Sequence, residues 1–302
     1  MGPIDEMSLK TRLSASPLSF DRDAIAEIFA QLALSAAVAV MRVYDTDSHA
    51  RSKPDKSPVC DADEYAEAII LEGLATQLPQ LPVLAEEAAA HGHKPPCGGS
   101  FILVDPVDGT REFLSHNGEF TINIGLILGG VPCAGVVYAP AIDRLWMAGA
   151  KAYSCNVKPG MPLPPLEERT PIHVRQPPRE GWTALASRSH ADAETDAFLA
   201  GLPINERRCA GSSLKFCAVA EGGADVYPRF GNTMEWDTAA GDAILRAAGG
   251  IVLDAAGLPL RYGKAKEQFK NGPFIAWGDP AIATTPKLSP KTLASLSKAS
   301  RN

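Results

Sequence analysis

Four consecutive apolar residues, Phe101-Ile102-Leu103-Val104, run directly into Asp105-Pro106-Val107-Asp108-Gly109-Thr110. An unbroken apolar run of this kind forms a buried strand, and Asp105 then emerges at the strand end, where open α/β sheets place their sites. Pro106 fixes its own φ and bars simple strand continuation, so the chain is expected to double back and let Asp108 face the same point as Asp105. Two hard carboxylates, with the Val107 carbonyl beside them, suit Mg²⁺. Gly109 permits close backbone approach, and a helix starting near Thr110 would turn free N–H groups toward a phosphate. Taken alone, the same letters describe an Asp-Pro turn followed by an Asp-Gly turn, which is common at strand ends.

The run has partners elsewhere. Leu81-Pro82-Val83-Leu84-Ala85 reads as a short strand ending in Glu86-Glu87, one of which can complete a metal shell. Glu235-Trp236-Asp237 and the residues up to Gly249-Gly250 read as a helix with Asp237 at its N-terminal end and a glycine C-cap. A polar loop from Lys53 leads into a helix patterned on Tyr65, Ile69 and Ile70, with Asp63 one turn in, placed to buttress a hydroxyl. Each acid also has an ordinary use, as helix-start charge for Glu86 and Asp63 or as an N-cap for Asp237. In the second half, Ser212-Ser213 before Leu214, Phe216 and Cys217 read as a capped helix, with Lys215 near its start. An anion at that N-terminus would be favoured by backbone amides and clamped by Arg229.

The combination of Glu86-Glu87, Asp105-Pro-Val-Asp108-Gly-Thr110 and Trp236-Asp237-Thr-Ala-Ala-Gly241 resembles the inositol monophosphatase and fructose-1,6-bisphosphatase superfamily of Mg²⁺-dependent, lithium-sensitive phosphatases. Within it, Gly109–Phe113, Asn117–Asn123, Ser187–Asp192, Gly211–Cys217 and Ala224–Gly231 are similar to the bacterial 3′(2′),5′-bisphosphate nucleotidases. The resemblance runs from about Asp23 to about Gly278. It implies a layered α/β/α/β/α sandwich and two or three Mg²⁺ ions held by Glu86, Asp105, the Val107 carbonyl, Asp108 and Asp237. It implies that Thr110, held by Asp63, orients the attacking water with Glu86, while the amides of Gly109 and Thr110 hold the phosphate being cleaved. It also places an uncleaved second phosphate at Ser212, Ser213, Lys215 and Arg229, and His190 against the adenine. Cys60 departs from the pattern, standing where relatives commonly carry Thr. The implied reaction is hydrolysis of the 3′-phosphate of adenosine 3′,5′-bisphosphate to AMP, clearing a by-product of sulfate assimilation. The alternatives are an inositol or fructose-bisphosphate phosphatase, or a non-catalytic nucleotide- or metal-binding module on the same fold. A water-activating set is of no use to the last of these.

A net charge of −6 argues against a nonspecific nucleic-acid binder, so an anionic substrate must be captured by metals and local cations. Six scattered cysteines without a Cys-x-x-Cys pair fit reduced thiols in a cytoplasmic protein. His91-Gly-His93 with Cys97 lacks a matching second pair and reads as a loop rather than a zinc site. Leu32–Met41 is apolar but short for a membrane span and follows acidic residues, so it reads as the buried side of a first helix with Ile25, Ile28, Phe29, Leu32 and Ala36 inward. No integral membrane segment is expected, and the oligomeric state is left open.

The expected organisation is a flexible N-terminus over 1–20, a metal-site α+β half over 21–157 and a Pro-rich connection over 158–180. An α/β substrate half over 181–280 and a flexible tail over 281–302 follow. Thr121–Leu128, Gly129-Gly130 and Val131–Tyr138 read as a hairpin continued by Arg144–Ala148. Helices are expected over 191–201, 212–221 and 237–248, and strands over 183–186, 224–227, 251–254 and 274–277.

Overall fold

A computed structural model describes residues 21–46, 51–52, 58–59, 61–188 and 193–283. Helices α1 (Arg22–Tyr44) and α2 (Asp61–Gln77) precede a seven-stranded sheet. Its strands are β1 (Val83–Ala85), β2 (Ser100–Asp108), β3 (Thr121–Leu128), β4 (Val131–Ala139), β5 (Arg144–Ala148), β6 (Ala152–Asn156) and β7 (Thr170–Pro171), in that spatial order. The short helices α3 (Glu86–Ala90) and α4 (Thr110–Leu114) follow β1 and β2. Strands β1 and β2 pair in parallel and the remaining neighbours are antiparallel.

The second sheet contains β8 (Trp182–Ser187), β9 (Ile204–Ala210), β10 (Val226–Arg229), β11 (Ile251–Asp254) and β12 (Phe274–Trp277). Its spatial order is β9-β8-β10-β12-β11. Four helices accompany it: α5 (Ala193–Leu199), α6 (Leu214–Ala220), α7 (Glu235–Ala247) and α8 (Pro280–Ala283).

Alternation along the strands sorts the side chains into layers. Ile102 and Val104 join the core shared with α1 and α2, whereas Phe101 and Leu103 point the other way, to the core shared with α6 and α7. Tyr227, Phe274 and Ala276 close that central core from the second sheet, and Val226, Ile275 and Trp277 pack outward with Leu199 of α5 and Ala283 of α8. The order of layers is therefore α/β/α/β/α, as expected.

Helix α7 lies directly on the first sheet because two strands carry glycine beneath it. A β carbon at Gly125 would sit 3.0 Å from Ala239 Cβ, and one at Gly135 only 2.9 Å from Ala240 Cα. Contacts that close leave no room for a methyl group.

Several local expectations need correction. The apolar stretch near the N-terminus belongs to a 23-residue helix, which by length and composition alone is long enough to cross a membrane. In this fold α1 instead buries Ile25, Phe29, Leu32 and Ala36 in the core, as its spacing indicated, with Ile28 partly covered. The Pro-rich stretch contributes the edge strand β7, so it is more than a connection. Residues 280–283, placed partly in the tail, form α8 with Ala283 buried. The terminal segments 1–20 and 284–302, Cys60 and His190 lie outside the described residues. The five described cysteines are all free thiols.

Candidate active site

Strand β2 does not double back at Pro106; it continues to Asp108 through a bulge. Asp105 lies opposite Asn123 and Asp108 opposite Thr121, so β2 advances by three residues while β3 advances by two. In a regular strand, residues three apart face opposite sides, and the extra residue turns Asp108 to the side of Asp105. Proline is tolerated here because a bulge has no ladder bond to lose. Asp105 Oδ1 accepts the Val107 N–H at 3.1 Å, which fixes the carboxylate across the bulge. Gly109 then takes φ +90°, a left-handed value suited to glycine, and α4 begins at Thr110. The Thr110 hydroxyl lies 3.4 Å from the Val107 carbonyl oxygen.

Two further helices bring carboxylates to the same point. Glu86 is the first residue of α3, and Asp237 is the third of α7. Asp237 is not the N-cap; its Oδ2 reaches back to accept the Met234 N–H at 2.8 Å. Oxygens of Glu86, Asp105 and Asp237 all lie within 4.8 Å of one another. Asp108 sits beside them, with Ser213 Oγ 3.0 Å and Asn123 Nδ2 3.3 Å from its Oδ2.

Such crowding is electrostatically costly without a cation. Burial, then the charges of Glu86, Asp108, Asp237 and Asp63, push Asp105 well above the usual carboxylate range. Asp237 is raised in the same way by burial and by Asp108 and Glu86. Burial also raises Asp108, against the opposing pull of Lys215 and the hydrogen bonds from Ser213 and Asn123. Asp63 is buried on α2, near enough to act on Asp105. Mutually repelling, desolvated carboxylates made only of hard oxygen donors are a fit for a divalent cation, and Val107 lines the same cleft.

The cleft measures about 280 Å³, and Arg111, Lys215 and Arg229 line it together with the acids. Lys215 is not a solvated charge at a helix start. It is buried, its Nζ donates to the carbonyls of Ala210 at 3.1 Å and Ser212 at 2.5 Å, and it lies 5.2 Å from the Tyr227 ring centre. Burial brings its ammonium down to about 8, with Asp108 opposing and Arg229 adding to the shift. Arg229 is 9% exposed and lines the cleft, and its Nε is buried with no hydrogen-bond partner. Ser212 lines the cleft with φ +43°. Ser213 stands at the N-cap of α6, but its side chain makes no cap hydrogen bond and it is absent from the cleft wall; its hydroxyl lies instead against Asp108 and the Asp237 carbonyl oxygen, 2.8 Å away.

Residues 21–301 match the inositol monophosphatase family. The chain belongs to that family. It is 45% identical over 251 residues to the 3′(2′),5′-bisphosphate nucleotidase CysQ of Escherichia coli K12, covering 81% of this chain and 96% of the relative. The protein of the same name from Buchnera aphidicola is 41% identical over 249 residues, covering 82% of this chain and 91% of that one. Among solved structures, CysQ from Bacteroides thetaiotaomicron, a bacterial member of the inositol monophosphatase family, superposes with a TM-score of 0.71 at 38% identity, covering 87% of this chain and 99% of that one.

The geometry adds residues that the motifs of an inositol monophosphatase did not single out. Glu67 of α2, 5% exposed, accepts the N–H groups of Glu87 and Ala88, each at 2.7 Å, and so caps the helix that presents Glu86. Asn123 bridges Asp108 and Ser213 and accepts from Thr121 at 2.9 Å. Glu119 holds Gly211, at the entrance to the Ser212 turn. Local sequence carries no signal for Glu67, whereas Glu119 and Asn123 fall inside a recognised motif without a stated task.

Proposed function

We propose that the protein is a Mg²⁺-dependent 3′(2′),5′-bisphosphate nucleotidase that removes the 3′-phosphate of adenosine 3′,5′-bisphosphate to give AMP and phosphate. The named CysQ relatives support the substrate class across nearly their whole length. The observation in this chain that carries it is Arg229. A desolvated guanidinium with an unpaired Nε, next to buried Lys215 and lining the same cleft as the acidic cluster, supports a second anion beyond the phosphate being cleaved. An inositol monophosphate offers no such anion.

On this reading Glu86, Asp105, the Val107 carbonyl, Asp108 and Asp237 hold two or three Mg²⁺ ions, which supply charge neutralisation and activation of the attacking water. Thr110, supported by Asp63, orients that water with Glu86. The amides of Gly109 and Thr110 hold the scissile phosphate, and Ser212, Lys215 and Arg229 hold the 5′-phosphate, with His190 beside the adenine. Ser213 moves from substrate contact to support of Asp108. No side chain is needed as a nucleophile, so turnover proceeds without a covalent enzyme intermediate. The free thiols fit a reducing cytoplasm, and the reaction fits clearance of a by-product of sulfate assimilation.

The test is phosphate release from adenosine 3′,5′-bisphosphate, inositol 1-phosphate and fructose 1,6-bisphosphate with Mg²⁺, with and without Li⁺, for the wild type and Arg229→Ala. A nucleotide preference that is suppressed by Li⁺ and lost in the variant through KM is expected. Equal turnover of the sugar phosphates would keep the metal chemistry and overturn the substrate.

A further inference from the structure

The backbone at Ser212 is left-handed, a conformation that a non-glycine residue keeps only when its surroundings over-determine it. Four side chains do so here. Glu119 Oε2 accepts the Gly211 N–H at 2.8 Å. Arg188 grips the same carboxylate through Nε at 2.8 Å and Nη2 at 2.7 Å, and the Nη2 group also donates to the Cys209 carbonyl at 3.1 Å. Lys215 ties down the Ala210 and Ser212 carbonyls from the other side. Thr121 Oγ1 lies 3.3 Å from Ser212 Oγ. The turn from Cys209 to Ser212 is thus held from outside by Glu119 and Arg188 and from inside by the buried ammonium it wraps.

Glu119 does not itself line the cleft, so whatever it contributes to binding acts through this turn. Resting on the nucleotide reading above, we propose that Glu119 is a positioning residue for substrate selection. It holds the Cys209–Ser212 turn in the strained form that presents Ser212 and Lys215 to the phosphate remote from the bond being cleaved, and so sets the preference for a substrate with two phosphates. Some burial opposes its ionisation, but the hydrogen bonds from Arg188 and Gly211 hold its carboxyl below the usual range, so the contact to Gly211 is charge-assisted.

The test compares adenosine 3′,5′-bisphosphate with adenosine 3′-monophosphate, which differs only in lacking the second phosphate, and adds calorimetric titration of AMP. In Glu119→Ala, KM for the bisphosphate and Kd for AMP are expected to rise about tenfold or more, the effect of losing a hydrogen bond to a charged group. The kcat and the turnover of the monophosphate stay within about twofold, so the discrimination ratio falls by the same factor. Glu119→Gln, whose amide oxygen can still accept from Gly211 but without the charge, recovers part of the ratio. If Glu119→Ala does not fold, Arg188→Gln makes the same comparison with a smaller fall. A wild type that does not distinguish the two nucleotides overturns the substrate reading. A discriminating wild type with an unchanged ratio in the variants, or an equal loss on both substrates, overturns the role of Glu119 alone.

Discussion

Ser213 Oγ lies 3.0 Å from Asp108 Oδ2, joining residues 105 positions apart in the chain. The same hydroxyl is 2.8 Å from the Asp237 carbonyl oxygen, so the acid from β2 and the helix bearing Asp237 meet on one oxygen atom. A half-buried carboxylate with such a partner is oriented and partly relieved of the cost of desolvation.

Ser213→Ala is therefore expected to weaken Mg²⁺ activation about tenfold while leaving the ratio of bisphosphate to 3′-monophosphate turnover unchanged. A Mg²⁺ titration of both reactions checks this. A collapse of the ratio with normal metal activation would return Ser213 to the substrate.

Glu67→Gln replaces one of the two acceptor oxygens that cap α3 with an amide donor facing the Ala88 or Glu87 N–H. Removing an outer partner of a metal ligand typically costs about 10–100-fold in metal affinity. The expected result is a loss of that size in Mg²⁺ or Mn²⁺ binding, measured by calorimetry without substrate. Unchanged binding would leave the cap with a purely structural role.

On the proposed reading, the ammonium of Lys215, held down at about 8, would make the affinity for a nucleotide phosphate pH-dependent in an unusual range. Below that value the group is charged and attracts the phosphate; above it the charge, and with it part of the attraction, is lost. Titration of metal-free protein with AMP between about pH 6.5 and 9.5 should show a constant Kd that rises beyond pH 8, well before an ordinary lysine would titrate. A flat profile through pH 9.5 contradicts this.

The acidic cluster predicts the opposite use of protons. Asp105 and Asp237 have folded pKa values raised far above the roughly 3.9 of an unfolded aspartate. From about pH 4 upward the native state keeps protons that the unfolded chain releases, so these groups make metal-free stability fall as pH rises through their folded values. Melting in chelator should worsen from pH 5 to pH 7, and Mg²⁺, which binds the ionised form, should restore more at the higher pH. Asp105→Asn should raise the metal-free melting temperature and lower turnover by more than about a hundredfold, beyond what an outer partner is worth. Retention of most activity would remove Asp105 from the metal shell.

What could be read in advance divides by distance along the chain. The hairpin Thr121–Leu128 with Val131–Ala139 was legible because its alternation and its Gly129-Gly130 turn are local. Glu86, Asp105 and Asp237, each with an ordinary use of its own, were joined by the family resemblance, and the structure brings their oxygens within 4.8 Å of one another. The bulge at Pro106 was not legible, because a proline after an apolar run reads as a strand terminator unless the register of the partner strand is known. Ser213 does stand at the N-cap of its helix, but the use of its hydroxyl was hidden for a similar reason: capping is a local rule, and the partner here is Asp108. Lys215 gave no sign of being buried, since only the fold reveals that the turn before it wraps its ammonium.

The bare glycines under α7 also reach the acidic cluster. With Gly125 and Gly135 against Ala239 and Ala240, that helix sits as low on the sheet as backbone contact allows, and Asp237 near its start rides with it. The absence of two methyl groups thus helps to hold an oxygen of Asp237 within 4.8 Å of those of Asp105 and Glu86. An alanine at either position would lift the helix and draw these carboxylates apart. The spacing of the acids is then written in the floor of the site as much as in the acids themselves.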